Sequence, residues 1–82
     1  MIERSGKAGL CLESELVAMF IQTANKFSSK IDLKKDNKVA NAKSIMGIIS
    51  LSVVDGETIT LSADGEDALA AVTELANFLN IR

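Results

Sequence analysis

Ser44, Cys11 and Glu13 are the residues of this 82-residue sequence whose type and setting could carry chemistry. Ser44 directly precedes the apolar run Ile45-Met46-Gly47-Ile48-Ile49-Ser50-Leu51. A hydroxyl in that place can cap a helix, a contribution of about 0.5–2 kcal/mol. A phosphate on the same oxygen would meet free N–H groups and the positive end of the helix dipole, and would add about −1.5 to −2 charge. Cys11 lies shortly before a second helical pattern, where a thiolate is favoured and could act as a nucleophile or redox group. A free Cys is as readily a small, half-buried apolar residue. Glu13 offers a fixed negative charge at the same place, and an acidic residue before a helix also stabilises it by about 0.3–1 kcal/mol.

What the chain lacks is equally informative. It has no His, Pro, Trp or Tyr, and its one Cys is Cys11. No imidazole can therefore serve as general base, metal ligand or phosphoryl acceptor, and no Ser-His-Asp or Cys-His pair can be built. One Cys closes no intramolecular disulfide and is too few for a zinc or iron–sulfur site. Neither a metal nor another cofactor is expected, nor an enzyme's catalytic residues. Nine Lys and Arg against eleven Asp and Glu leave a net charge of −2. Lys34, Lys35, Lys38 and Lys43 gather loosely, but no aromatics lie between them for base stacking, so they read as solvated surface and not as a nucleic-acid interface. No stretch approaches the roughly 20 apolar residues of a membrane span, and the N-terminus has no signal-peptide pattern. With the low Cys count, a cytoplasmic protein is expected.

Eighty-two residues make one domain, residues 1–82. Within it, residues 14–28 carry Leu16, Met19, Phe20, Thr23, Ala24 and Phe27 at helical spacing, with Ser14 as N-cap and Ser28-Ser29 as the stop. In residues 30–35, Ile31 and Leu33 alternate with Asp32 and Lys34, the period of a half-buried strand. Asp36-Asn37 turns the chain into a partner strand from Val39 to Ala42. Ser44 then opens a short helix. Its apolar residues Ile45, Ile48, Ile49 and Leu51 cannot all face one core, so some are expected to be exposed. After the Asp55-Gly56 turn, Thr58 to Ser62 forms a strand with Ile59 and Leu61 inward. Residues 66–80 form the last helix, with Leu69, Val72, Leu75, Ala76 and Leu79 on one face and Glu66 and Asp67 in its first turn. Residues 1–12 give the weakest pattern, since Gly6 and Gly9 interrupt it; a short or irregular strand is expected. The order (β)αββαβα predicts an α+β fold with helices on one face of an antiparallel sheet.

That order, with the segment Asn41-Ala42-Lys43-Ser44-Ile45-Met46-Gly47-Ile48-Ile49-Ser50-Leu51, resembles the HPr family, the small phosphocarriers of the bacterial phosphoenolpyruvate-dependent sugar phosphotransferase system. The segment is similar to the family's regulatory-serine motif and the short helix after it. Gly56-Glu57-Thr58-Ile59-Thr60-Leu61 and Gly65-Glu66-Asp67-Ala68-Leu69 fit its last strand and helix. The resemblance implies an open-faced sandwich: four antiparallel strands covered by three helices. It also implies a Gly-[apolar]-His-Ala-Arg-Pro motif before the first helix, whose His carries phosphate and whose Arg helps hold it. The first dozen residues depart from this. Counted back from Gln22 without gaps, the His position falls on Glu13, the Arg position on Glu15 and the Pro position on Leu16. With two residues inserted, Gly9-Leu10-Cys11 matches the start of the motif and Cys11 takes the His position.

The resemblance thus implies a phosphotransferase-system protein without the His carrier step, acting through protein–protein contacts and phosphorylation of Ser44. Ile45, Met46 and Ile49 would form the partner-binding patch, since the matching family positions contact partner proteins and exposed apolar clusters usually mark interfaces. Expected partners are proteins of that system, its serine kinase, and a catabolite transcription regulator. A subgroup lacking the His contacts that regulator and keeps the Arg, where this chain has Glu15. The alternatives are a phosphoryl carrier using Cys11 or Glu13, and an assembly module, including a homodimer, built on an open sheet edge.

Overall fold

The structure, a computed structural model, describes residues 1–82. Its elements follow the expected order: β1 (Ile2–Lys7), α1 (Glu15–Ala24), β2 (Lys30–Lys35), β3 (Lys38–Asn41), α2 (Ile45–Leu51), β4 (Thr58–Asp64) and α3 (Ala68–Phe78). The four strands form one antiparallel sheet in the order β1-β4-β2-β3. This is the α+β open-faced sandwich that the sequence implied.

Alternation along the strands sets the two faces of the sheet. Ile31 and Leu33 of β2, Ala40 of β3, and Ile59, Leu61 and Ala63 of β4 are buried beneath the helices. The opposite face carries Ser5, Thr60, Ser62, Asp32 and Lys34 and is wetter; there the Ser5 and Thr60 hydroxyls share a 2.8 Å hydrogen bond across β1 and β4. The helices cover the first face with Val17, Phe20, Ile21 and Ala24 of α1, Ile48 and Leu51 of α2, and Val72, Leu75 and Ala76 of α3. The Phe20 and Phe78 rings meet edge to face at 5.8 Å, a favoured aromatic geometry, and join α1 to α3.

Several local expectations need correction. The N-terminal segment is not irregular: β1 runs six residues in full register with β4, from Ile2 opposite Ala63 to Lys7 opposite Thr58. Gly6 does not break it. The C-terminal tail crosses there, with Lys7 and Arg82 exchanging both backbone hydrogen bonds. A Cβ at Gly6 would overlap Ile81 Cγ2 and come within 2.6 Å of the Arg82 carbonyl oxygen. Gly9 is likewise placed against Asn80, whose oxygen a Cβ would approach to 2.5 Å. Both glycines make room for backbone, a role that no local pattern reveals. The first helix ends at Ala24 and not at Ser28. Met19 points away from the core, and the Thr23 hydroxyl donates to the Met19 carbonyl oxygen instead of packing inward. Leu69, assigned to the buried face of the last helix, is 66 % exposed; Ala68, Ala71 and Val72 line that face instead.

Asp67 stands at the N-cap position of α3, yet makes no side-chain cap bond. Its carboxylate accepts from the Ser28 and Ser29 N–H groups and from both serine hydroxyls. This clamps the turn after α1 to the start of α3. The Ser29 hydroxyl, and then the Ser28 N–H, hold Asp67 below the usual aspartate range. A depressed carboxylate stabilises the fold above its unfolded value, about 3.9, and loses that contribution as pH falls through its folded value. Asp67→Asn is therefore expected to melt below the parent chain at neutral pH, with the gap closing as pH is lowered through about 3.9 and beyond. Thermal melts across that range check this; a gap that does not change with pH would contradict the clamp.

Candidate functional site

The site begins with two helix starts that the sheet brings side by side. Ser44 takes an extended backbone, φ −106° and ψ 117°, directly before α2. Its Oγ accepts the Gly47 N–H at 3.2 Å, and its carbonyl oxygen accepts the Ile48 N–H at 3.0 Å. The capping role expected from the sequence is therefore present. The residue is half-buried.

The rest of α2 divides as its length requires. Ile48 and Leu51 face the core, while Ile45, Met46 and Ile49 are 56, 76 and 57 % exposed. Ile45 and Ile49 are one turn apart and share a face. The three residues expected to form a patch are thus brought together on the outer side of the helix that Ser44 caps.

At the other helix start, Ser14 precedes α1 with φ 51° and ψ −128°. That region is unfavourable for a residue with a Cβ, at about 1–3 kcal/mol, and such residues collect at functional sites. Ser14 stands at the expected N-cap position but makes no side-chain cap bond. The first turn is instead closed by the Leu16 N–H on the Glu13 carbonyl oxygen, 3.0 Å, and the Val17 N–H on that of Ser14, 3.2 Å. Glu13 is exposed, and neither its carboxylate nor that of Glu15 has an ion-pair partner. Cys11 is elsewhere: its half-buried sulfur faces the Asp55 N–H at 3.5 Å, across the loop between α2 and β4. Of the two residues weighed for the corner before the first helix, Glu13 adjoins the helix start and Cys11 turns towards that loop.

The same loop ties the segment before α1 to the exit from α2. The Leu12 N–H donates to the Val53 carbonyl oxygen at 2.9 Å, the Ala8 N–H to that of Glu57 at 2.9 Å, and the Gly56 N–H to that of Ala8 at 2.8 Å. Glu57 in turn accepts from the Val54 N–H at 2.7 Å and from Lys35 at 3.1 Å, and Lys35 also donates to the Ser52 carbonyl oxygen at 2.7 Å. The Val54 N–H first, and Lys35 second, hold the Glu57 carboxyl below its ordinary range. Lys43 donates to the Phe27 carbonyl oxygen at 2.7 Å. Two of the four lysines read as solvated surface are therefore hydrogen-bonded into the fold.

Between the stitched segments lies a feature that sequence reasoning missed. A groove of about 340 Å³ runs between α1 and α2, with Leu12, Val17, Ala18, Ile45, Ile49 and Val54 among its walls. Its residues come from two stretches of chain far apart in sequence, 12–18 and 45–54, so no local period marks it. The one available signal was the Val53-Val54 pair before a turn, which the pattern of α2 does not absorb. Ser14 and Ser52 add hydroxyls, and Glu13 is the one charged residue in the lining. The side chains gathered here form an apolar groove with the Ser44 hydroxyl at the start of one of its helices. No helix of the protein is long and apolar enough to cross a membrane.

Comparison with known proteins adds independent observations. A family model described as the phosphorylation site of the HPr component of the phosphotransferase system matches residues 10–80. The HPr-like protein Crh of Bacillus subtilis is 47 % identical over 68 residues, which span 83 % of this chain and 80 % of Crh. Among solved structures, HPr-C-His from Thermoanaerobacter tengcongensis superposes with a TM-score of 0.91 at 44 % identity, covering 98 % of this chain and 92 % of that one. A crystal structure of Bacillus subtilis Crh, described as a catabolite-repression protein and a dimer with a swapped domain, gives a TM-score of 0.79 at 46 % identity, covering 90 % and 83 %. A match over nearly the whole chain, relatives at almost half identity and the shared four-stranded, three-helix sandwich together place this chain in the HPr family.

Proposed function

We propose that this protein is a regulatory interaction module of the phosphotransferase system, working through Ser44 and the face formed by Ile45, Met46 and Ile49, and not a His phosphocarrier. The observation that carries the reading is the pairing of two facts. The chain holds no imidazole to carry phosphate, while Ser44 sits half-exposed beside an uncovered apolar face. A phosphate on Ser44 would face the orphan N–H groups of the first turn of α2, so the helix can keep its form while its surroundings gain negative charge. Partner choice changes and fold does not. The expected partners are the system's serine kinase, its other proteins and a catabolite transcription regulator; the likeness to Crh supports the last, and Glu15 in the family's Arg position weighs against it. The compartment consistent with such partners is the cytoplasm.

Phosphoryl transfer by Glu13 or Cys11 is the rival reading. Glu13 is exposed beside the α1 start, but a carboxylate would have to form an acyl phosphate with no cation near it. Incubation with phosphoenolpyruvate, enzyme I and labelled phosphate is expected to leave the chain unlabelled. A label lost on Glu13→Gln or Cys11→Ser would overturn the regulatory reading. With the serine kinase and ATP, intact mass is expected to show one added phosphate on the parent chain and none on Ser44→Ala. An unmodified parent chain, or equal labelling of Ser44→Ala, would remove Ser44 from the account. Losing the cap alone should lower the unfolding free energy of Ser44→Ala by about 0.5–2 kcal/mol, read by denaturant titration.

A homodimer is favoured by one observation: no side chain of β1 is fully buried, and the strand is held chiefly by backbone pairing with β4 and by the Lys7–Arg82 bridge. Such a strand can leave one copy and complete the sheet of another; the Crh crystal structure is itself described as a dimer with a swapped domain. Sedimentation from micromolar to millimolar concentration would show a shift from monomer to dimer mass if exchange occurs; constant monomer mass excludes it.

A further inference from the structure

The exit of α3 and the first strand meet in an arrangement that neither element explains alone. α3 ends at Phe78 with Leu79 as C-cap, and Asn80 follows with φ 53°. The Asn80 N–H donates to the Asn77 carbonyl oxygen at 3.1 Å, and the Ile81 N–H to that of Ala76 at 3.0 Å. A left-handed residue that closes a helix with these two bonds turns the chain back. The turn sends Ile81 and Arg82 across β1, an edge strand of the sheet. There the Gly9 N–H donates to the Leu79 carbonyl oxygen at 2.9 Å, and Lys7 and Arg82 exchange bonds of 2.9 and 3.0 Å. Ile81 packs against the core beside this bridge. The fit is close, since a Cβ on either Gly6 or Gly9 would run into the turn.

β1 depends on such a hold because none of its side chains is fully buried. The N–H and C=O of one strand residue point to the same side, and the side alternates along the strand. Both groups of Lys7 point out to Arg82. Ile2, Arg4 and Gly6 therefore bond β4, opposite Ala63, Leu61 and Ile59. Those pairings and the turn laid on the outer edge are what keep β1 in place. We infer that the turn Asn80-Ile81-Arg82 is a latch: seated on Gly6 and Gly9, it holds β1 on β4, and its release is the step that frees β1 to join a second copy. The last clause rests on the homodimer reading; the hold on the strand does not.

Hydrogen exchange tests the hold. The Ile59, Leu61 and Ala63 amides, which face β1, are expected to exchange by detachment of β1 while the rest of the chain stays folded. Arg82→Pro lacks the N–H that donates to Lys7, and is expected to speed those amides about three- to tenfold. Asn80→Val, poorly suited to a positive φ, is expected to do the same, and Asn80→Gly to keep the parent rates. Asp67→Asn weakens the fold at the other end of α3 and is expected to leave these amides unchanged, because its clamp persists while β1 is detached. Parent rates in Arg82→Pro and Asn80→Val would overturn the latch. Equal acceleration by Asp67→Asn would overturn it too, since β1 would then leave only when the whole chain unfolds. Sedimentation after dilution from millimolar to micromolar concentration reads the second clause. The latch can re-form in an exchanged pair, so its loss changes the rate of exchange more than the balance, and Arg82→Pro is expected to reach its final mass several-fold sooner than the parent. Equal rates from a common dimer would overturn release as the limiting step. Monomer mass at every concentration in both chains removes the homodimer reading and leaves the hold on β1 standing.

Discussion

The fold depends on one strand that arrives late in the chain. β2 and β4 both have neighbours on each side, but only β4 has both partners distant in sequence: it pairs with β1 along one edge and with β2 along the other. Remove it and β1 has no partner, while the β2–β3 hairpin loses its link to the rest of the sheet. Its side chains do both jobs that a one-sided sheet requires. Ile59, Leu61 and Ala63 are buried beneath the helices, and Thr58, Thr60 and Ser62 alternate to the wetter face. Because those pairings are non-local, the chain must close long loops before the sheet stabilises it.

The apolar groove is a consequence of that closure. Once β4 is in place, the loop that leads into it lies against residues 8–12, and three backbone hydrogen bonds stitch the two together. The stitch fixes the entry to α1 next to the exit from α2, and the groove is the space between them. Lys35 and Glu57 reinforce the arrangement from the β2 side, at a point where Lys35 is largely buried and its ion pair is less screened than an exposed one. The groove is therefore held by backbone bonds and one half-buried ion pair, while Ile45, Met46 and Ile49 are left without a covering.

How much of this was legible in the sequence varies with how local each determinant is. Ile31 and Leu33 against Asp32 and Lys34 announce a half-buried strand, and the two-residue turn at Asp36-Asn37 fixes the hairpin register, so this part stood as expected. Ser44 before an apolar run announced both the cap and the exposed face, because seven residues of helix cannot bury that many isoleucines. The errors fall where the partner is distant in sequence. Gly6 and Gly9 resemble strand breakers until the C-terminal tail is laid across them. Asp67 resembles an ordinary helix-start acid until Ser28 and Ser29 reach it from 39 and 38 residues away. Leu69 satisfies the spacing of the buried face, but small alanines fill the positions closest to the sheet and leave it outside. The groove left only the unabsorbed Val53-Val54 pair as a trace in the sequence, since it exists only where separated segments converge.

In the function proposed for this protein, phosphate on Ser44 rewrites the surface beside α2 while the fold beneath it stays the same. The most direct measurement is a comparison of 15N–1H spectra of the full chain before and after phosphorylation of Ser44, with hydrogen exchange followed in both forms. The account predicts shifts confined to residues around Ser44, Gly47 and the groove, with unchanged protection of the β4 amides and of Ile48 and Leu51 in α2. Loss of protection across α2, or shifts spreading through β4 and its neighbours, would show that the modification acts by unfolding and would contradict it.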